Sequence, residues 1–243
     1  MFQTRLAYLN GIDKTAKSIA EEFTAGQKIT ERLLKTIIDL YQSAKVEQIF
    51  KDKYFETAYH SPITSELEFF VARILFHYST INGKKWQIYL RRQESKTAPD
   101  IRLLKNGQTF AIIEVKAKAG WIQPFLSPER YQYDKSKLAN GKSDFDPDNL
   151  ISNSKNQLKK YFTTFGLTNN DIFLFLPTLA LVHRKKYLTE LPEYYTYFAS
   201  TSGLPADNLI LLSKNKRLDL SYKTNDLDPT DNFEKLMSKL STR

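Results

Sequence analysis

Residues 97–121 read TAPDIRLLKNGQTFAIIEVKAKAGW: a Pro99-Asp100 pair, an Asn106-Gly107 dipeptide, and an apolar run ending in Glu114-Val115-Lys116. Asn-Gly between two apolar arms is a strong short-range hairpin signal, and DIRLL and TFAIIEVKA are the arms. Charges inside such a run are costly unless they find a partner, a ligand or solvent. Side chains alternate along a strand, so Glu114 and Lys116 share one face and Ile113 and Val115 the other. The expected hairpin carries its charges on one face and packs the other inward.

The facing of Asp100 depends on the turn. A plain two-residue loop at Asn106-Gly107 pairs Lys105 with Gln108 and sets Asp100 opposite Ile113, on the wrong face. A three-residue loop from Lys105 to Gly107 pairs Leu104 with Gln108 and sets Asp100 opposite Ile112, on the face of Glu114 and Lys116. The expectation is therefore a three-residue turn, or a bulge that restores the same parity. Two convergent carboxylates beside a lysine form a hard-oxygen site suited to Mg²⁺. Such an ion polarises a phosphodiester and lowers the pKa of a bound water. The competing reading is a surface hairpin with a solvated Glu and Lys.

Outward from the hairpin, KITERLLKTIIDLYQSAKVEQIF repeats apolar residues at Ile29, Leu33, Ile37, Leu40 and Tyr41, a helical stripe. SPITSELEFFVARILFHYSTINGKKW predicts a helix with Ser61 as N-cap, Pro62 at the first position and Asn82-Gly83 at its end. Its apolar face is Leu67, Phe70, Val71, Ile74, Leu75 and Tyr78. WQIYL, DIFLFLP, TLALVHR and DNLILLS read as strands. DNLISNSKNQLKKYFTTFG, PEYYTYFAST and NFEKLMSKL read as helices. Strands alternating with helices predict an α/β (α+β) fold around a mixed sheet. The expected organisation is a helical N-terminal subdomain over 1–58, a core over 59–215, and a tail over 216–243 with a helix packed on the core.

The chain has 243 residues, and its 36 lysines and arginines against 27 aspartates and glutamates leave a net charge of +9. That excess suits a polyanionic partner such as nucleic acid. The absence of cysteine excludes disulfides, thiolate zinc sites and cysteine nucleophiles, and it fits a reducing cytoplasm. MFQTRLAYLN lacks the apolar core of a signal peptide, and no stretch approaches the roughly 20 apolar residues of a membrane span. A soluble cytoplasmic protein is expected, without membrane contact. No Gly-x-x-x-x-Gly-Lys-Ser/Thr loop occurs, so no nucleotide cofactor is expected. His60, His77 and His183 have no metal-ligand spacing.

Pro99-Asp100, thirteen residues (101–113), then Glu114-Val115-Lys116 resembles the signature of the PD-(D/E)XK nuclease superfamily, the restriction-endonuclease-like fold. Leu67-Glu68-Phe69-Phe70-Val71-Ala72-Arg73-Ile74-Leu75 resembles that family's glutamate-bearing first helix, with Glu66 as the rival carboxylate. Gln157-Leu158-Lys159-Lys160-Tyr161 resembles the Gln-x-x-x-Tyr helix that follows the catalytic strands in several branches. The resemblance spans about residues 61–185. It implies an Mg²⁺-dependent endonuclease acting on double-stranded DNA, with Mn²⁺ able to substitute, most like a homodimeric type II restriction enzyme. Asp100 and Glu114 would hold the metal, Glu68 would complete the acidic cluster directly or through water, and Lys116 would position the attacking water. Gln157 and Tyr161 would support the site, or simply pack their helix on the sheet.

The 119–142 loop mixes Trp121, Phe125, Tyr131 and Tyr133 with Arg130, Lys135, Lys137 and Lys142. That interleaving suits contact with phosphates and bases, as does Arg184-Lys185 after a strand. Two alternatives stand beside the restriction enzyme: a repair, recombination or mobile-element nuclease of the same fold, and a non-cleaving DNA-binding module.

Overall fold

The hairpin at Asn106-Gly107 is the centre of a five-stranded sheet. The computed structural model describes residues 2–43, 63–117, 124–126, 147–178, 191–214 and 227–243. The strands lie in sequential order: β1 (Gln87–Leu90), β2 (Ile101–Lys105), β3 (Gln108–Val115), β4 (Ile172–Leu176) and β5 (Leu209–Leu211). The first three are antiparallel, and β3, β4 and β5 run parallel. Six α-helices are found among the described residues: α1 (Phe2–Thr24), α2 (Thr30–Ser43), α3 (Thr64–Ile81), α4 (Pro147–Phe165), α5 (Leu191–Ser202) and α6 (Asn232–Ser241). The fold is a mixed-sheet α/β architecture, as the alternation of strand and helix patterns predicts.

The turn satisfies the parity requirement by the second of the two expected routes. Lys105 pairs with Gln108 across a two-residue turn in which Asn106 and Gly107 have φ of 53° and 78°. Positive φ at both central residues is the type I′ arrangement that Asn-Gly favours. The register then shifts: Leu104 faces Thr109 but Leu103 faces Ala111, so Phe110 is an extra residue. From this β-bulge onward the pairing runs Arg102 with Ile112 and Ile101 with Ile113. Continued by one step, that register sets Asp100 opposite Glu114, not Ile112.

Both faces of the sheet are covered, which corrects the expectation of one packed and one charged face. Ile101, Leu103, Ala111, Ile113 and Val115 join a core with residues of α1, α2, α3 and α6. Ile112, Ile172, Leu174, Leu176 and Leu209 join a second core with Leu158 and Tyr161 of α4 and Phe198 of α5. Parallel strands joined through helices are expected to be buried on both sides, and β4, reading IFLFL, is buried throughout. Phe125, grouped by sequence with DNA-contacting aromatics, is instead fully buried in the second core.

On the first face α1 and α3 pack side by side, Ala16 and Ala20 of α1 among the buried residues. Polar contacts fasten the pair along its length. Arg5 pairs with Glu66 at 2.8 Å, Asp13 takes Arg73 and His77, and Thr24 accepts from Asn82 Nδ2 at 2.9 Å. All six predicted apolar-face residues of α3 are buried, and Asn82-Gly83 ends it as expected. It begins later than predicted, with Ile63 rather than Ser61 in the N-cap position. The N-terminus of α2 is capped from α6: Glu234 accepts from the backbone N–H of Ile29 at 2.7 Å and of Thr30 at 2.8 Å. A carboxylate there satisfies otherwise unpaired donors and complements the helix dipole. The predicted strand TLALVHR lies almost wholly outside the described residues. None of the described helices is long and apolar enough to cross a membrane.

A Cβ added at Gly107 meets nothing within 4 Å, so Gly107→Ala isolates the cost of its positive φ. The expected loss is about 1–2 kcal/mol, read as a lower urea midpoint with unchanged slope.

Candidate active site at the end of the hairpin

The bulge brings Asp100, Glu114 and Lys116 together at the end of β3. Lys116 Nζ lies 2.5 Å from Asp100 Oδ2 and 2.8 Å from Glu114 Oε2. Asp100 Oδ2 also accepts from the backbone N–H of Val115 at 3.0 Å. The Asp100 N–H reaches Glu114 Oε1 at 3.4 Å, tying the two strands across the site. The Lys116 N–H donates to the Phe175 carbonyl at 2.9 Å, which prolongs the β3–β4 ladder through the site.

Glu114 is only 2% exposed, so this carboxylate sits inside the protein. Its partners come from the second face. Tyr161 of α4 donates its hydroxyl to Glu114 Oε1 at 2.5 Å, and Gln157, one turn earlier, donates Nε2 to the Tyr161 oxygen at 3.1 Å. Spacing of i and i+4 on a helix makes that relay possible. Burial pushes the Glu114 carboxyl above its usual range, with Lys116 opposing and Asp100 adding to the rise. Burial works against the Lys116 ammonium, but Glu114 and Asp100 outweigh it and hold the group above the usual lysine range. The resting site therefore keeps its lysine protonated between two carboxylates. Burial and the neighbouring Glu114 likewise raise the Tyr161 hydroxyl, leaving it a donor.

Of the two helix carboxylates, Glu68 faces this site and Glu66 does not. Glu66 pairs with Arg5 of α1. The Glu68 side chain is 1% exposed and is held by Arg91, which sits just past β1: Nη2 donates to Oε1 at 2.7 Å and Nε to Oε2. Burial raises the Glu68 carboxyl, with the Arg91 hydrogen bonds opposing and the Asp100 charge adding. Arg91 has a φ of 48°, and its backbone N–H donates to the Asp100 carbonyl at 2.9 Å.

Sequence reasoning missed Arg91. The signal was the Arg91-Arg92 pair at the end of a strand, cationic side chains at the edge of a fold whose carboxylates need counter-charges. Arg130, Lys135, Lys137, Lys142, Arg184 and Lys185 lie outside the described residues.

The donor set fits a hard cation in part. Asp100 Oδ2 and Glu114 Oε2 converge on one point, where the Lys116 ammonium now stands as the cation. Among the described residues no three acidic or histidine side chains are grouped to hold a metal ion, and Arg91 bonds to both oxygens of Glu68. Comparison with family models, curated proteins and solved structures finds no match to this chain.

Two measurements check the electrostatics. Tyr161→Phe leaves a buried carboxylate oxygen short of its donor and is expected to cost about 1–3 kcal/mol in urea unfolding. In Lys116→Met the group opposing the rise of Glu114 is lost. A carboxyl whose folded pKa lies above its unfolded value contributes stability below the unfolded value, and that contribution is lost as pH rises through the folded one. Relative to the parent, Lys116→Met is therefore expected to lose stability progressively as pH rises from about 4.5, the ordinary glutamate value. A difference independent of pH would show that Lys116 does not govern Glu114.

Proposed function

We propose that the chain is a Mg²⁺-dependent endonuclease of the PD-(D/E)XK type acting on double-stranded DNA, most simply a type II restriction endonuclease. The observation that carries the reading is the convergence of Asp100 and Glu114 on Lys116, at the end of a bulged hairpin whose second strand continues into a parallel sheet. A surface hairpin with a solvated Glu-Lys face does not account for Glu114 at 2% exposure with a buried tyrosine donor. The Tyr161 contact also supports the likeness to the Gln-x-x-x-Tyr helix. The net charge of +9 suits a phosphate backbone.

In this reading Asp100 and Glu114 hold the cation, which polarises the scissile phosphate and lowers the pKa of a bound water. The Val115 N–H fixes the Asp100 carboxylate, and Tyr161, aligned by Gln157, fixes Glu114. Such fixed partners set first-contact geometry before substrate arrives, which lowers the reorganisation needed in the reaction. Lys116 contacts the phosphate and positions the attacking water. Breaking both strands of a duplex calls for two such sites, supplied by a homodimer.

Digestion of unmethylated phage DNA with and without Mg²⁺, followed by sequencing of the ends, tests the proposal. Discrete fragments with 5′-phosphates are expected only with Mg²⁺, and cutting confined to forked or modified DNA would move the chain to the repair or recombination reading. Lys116→Ala and Asp100→Ala are expected to lower the rate at least ~100-fold while retaining duplex binding. Binding without Mg²⁺-dependent cleavage in the parent chain would support a non-cleaving module instead.

A further inference from the structure

Within the site as described, each carboxylate is already matched by a cation of the chain itself. Asp100 and Glu114 share Lys116, and Glu68 is gripped by Arg91 through both oxygens. The two cations differ in access. The Lys116 side chain is 15% exposed, whereas that of Arg91 is 51% exposed. Arg91 thus sits at the rim, with its Nε and Nη2 turned inward onto a carboxylate only 1% exposed.

A guanidinium has five N–H donors in a planar fork that matches carboxylate and phosphate equally well. Its backbone anchor is independent of the side chain: the Arg91 N–H is bonded to the Asp100 carbonyl, so the side chain can swing while the main chain stays in place. While Arg91 holds both Glu68 oxygens, a hard cation there would stand against the guanidinium, like charge beside like charge. Stripped of Arg91 with nothing in its place, a carboxylate this buried would be an unpaired charge of high cost. An anion that attracts Arg91 and a cation that replaces it at Glu68 therefore favour one another.

Resting on the nuclease reading, we propose that Arg91 is a phosphate-binding residue of this site and binds DNA by exchanging Glu68 for a backbone phosphate. The exchange releases Glu68 to a divalent cation, so duplex and cation each tighten the other's binding. The coupling is reciprocal, and energies typical of two-site linkage correspond to about 5–150-fold in affinity.

Calorimetric titration of the full chain with Ca²⁺, with and without a mixed-sequence duplex, reads the coupling without relying on cleavage. In the parent chain the duplex is expected to tighten Ca²⁺ binding at least ~5-fold. In Arg91→Ala, Ca²⁺ binding without DNA is expected to be tighter than in the parent, and the duplex effect to fall within about twofold. Arg91→Lys, a point charge without the fork, is expected to lie between the two and serves as the test variant should Arg91→Ala fail to fold. Arg92→Ala is the control for mere loss of charge, because Arg92 stacks on the Tyr89 ring at 4.3 Å; its coupling is expected to match the parent. Coupling unchanged in Arg91→Ala and Arg91→Lys, or absent from a parent chain that binds both ligands, would overturn the exchange and leave the nuclease reading standing. A parent chain that binds neither ligand would overturn that reading as well.

Discussion

One extra residue in a strand decides which side chains can meet. Cross-strand partners share a face, and a slip of one residue sends every side chain to the other side of the sheet. The type I′ turn at Asn106-Gly107 would, by itself, put Asp100 on the face of Ile113, among the residues of the first core. Phe110 absorbs the difference, and its ring, partly buried, lies 5.5 Å from that of Trp86, against the first core. Asp100, Glu114 and Lys116 then share the second face, where Tyr161 reaches Glu114. The strand order of the sheet would survive without this bulge, but the cluster would not.

The cluster also meets a second constraint, the low dielectric around it. Glu68 and Glu114 are both almost wholly buried, a state that disfavours the ionised form. Helix α3 carries one and strand β3 the other. Each is compensated by a cation close in space: Lys116, two positions on and just past the end of β3, and Arg91 from the connection after β1. Ordinary hydrogen bonds from Tyr161 and the backbone supply the remainder. A buried polar network is stable only when its members are satisfied, and among these groups most oxygens have a donor.

Much of this was legible in the sequence, for identifiable reasons. The Asn-Gly pair flanked by apolar arms, the stripe Leu67 to Tyr78, and the IFLFL run are local signals of periodicity and turn chemistry, and each forms the element it predicts. The need for matching parity followed from alternation alone, yet the choice between a longer turn and a bulge did not. Leucine, threonine and phenylalanine around the bulge carry no special local preference, and the aromatic packing of Phe110 on Trp86 is a tertiary contact. Phe125 was misjudged, and the burial of Glu114 was not foreseen. An aromatic in a polar loop looks solvent-facing, and the depth of a charged hairpin face is unknown, until the helices α4 and α5 cover the second face. Arg91 was missed because its partner, Glu68, is 23 residues away on another element, and the Arg91-Arg92 pair does not by itself name that partner.

The parts of the chain farthest from the carboxylates bear on them through position. Glu68 is fixed only as well as α3 is fixed, and α3 is held along α1 by the Arg5, Asp13 and Thr24 contacts. The last of the hairpin strand is steadied in turn by α2, whose Tyr41 hydroxyl donates to the Ala117 carbonyl at 3.3 Å, one residue beyond Lys116. Helix α2 is itself capped by Glu234 of α6, so the C-terminal helix takes part in locating the end of β3. These contacts and the first core join α1, α2, α3 and α6 to the same face of the sheet. A carboxylate displaced by one ångström loses most of what a preorganised site provides. The N-terminal helices thus act on the site as a brace, because their packing against α3 sets where the helix of Glu68 stands.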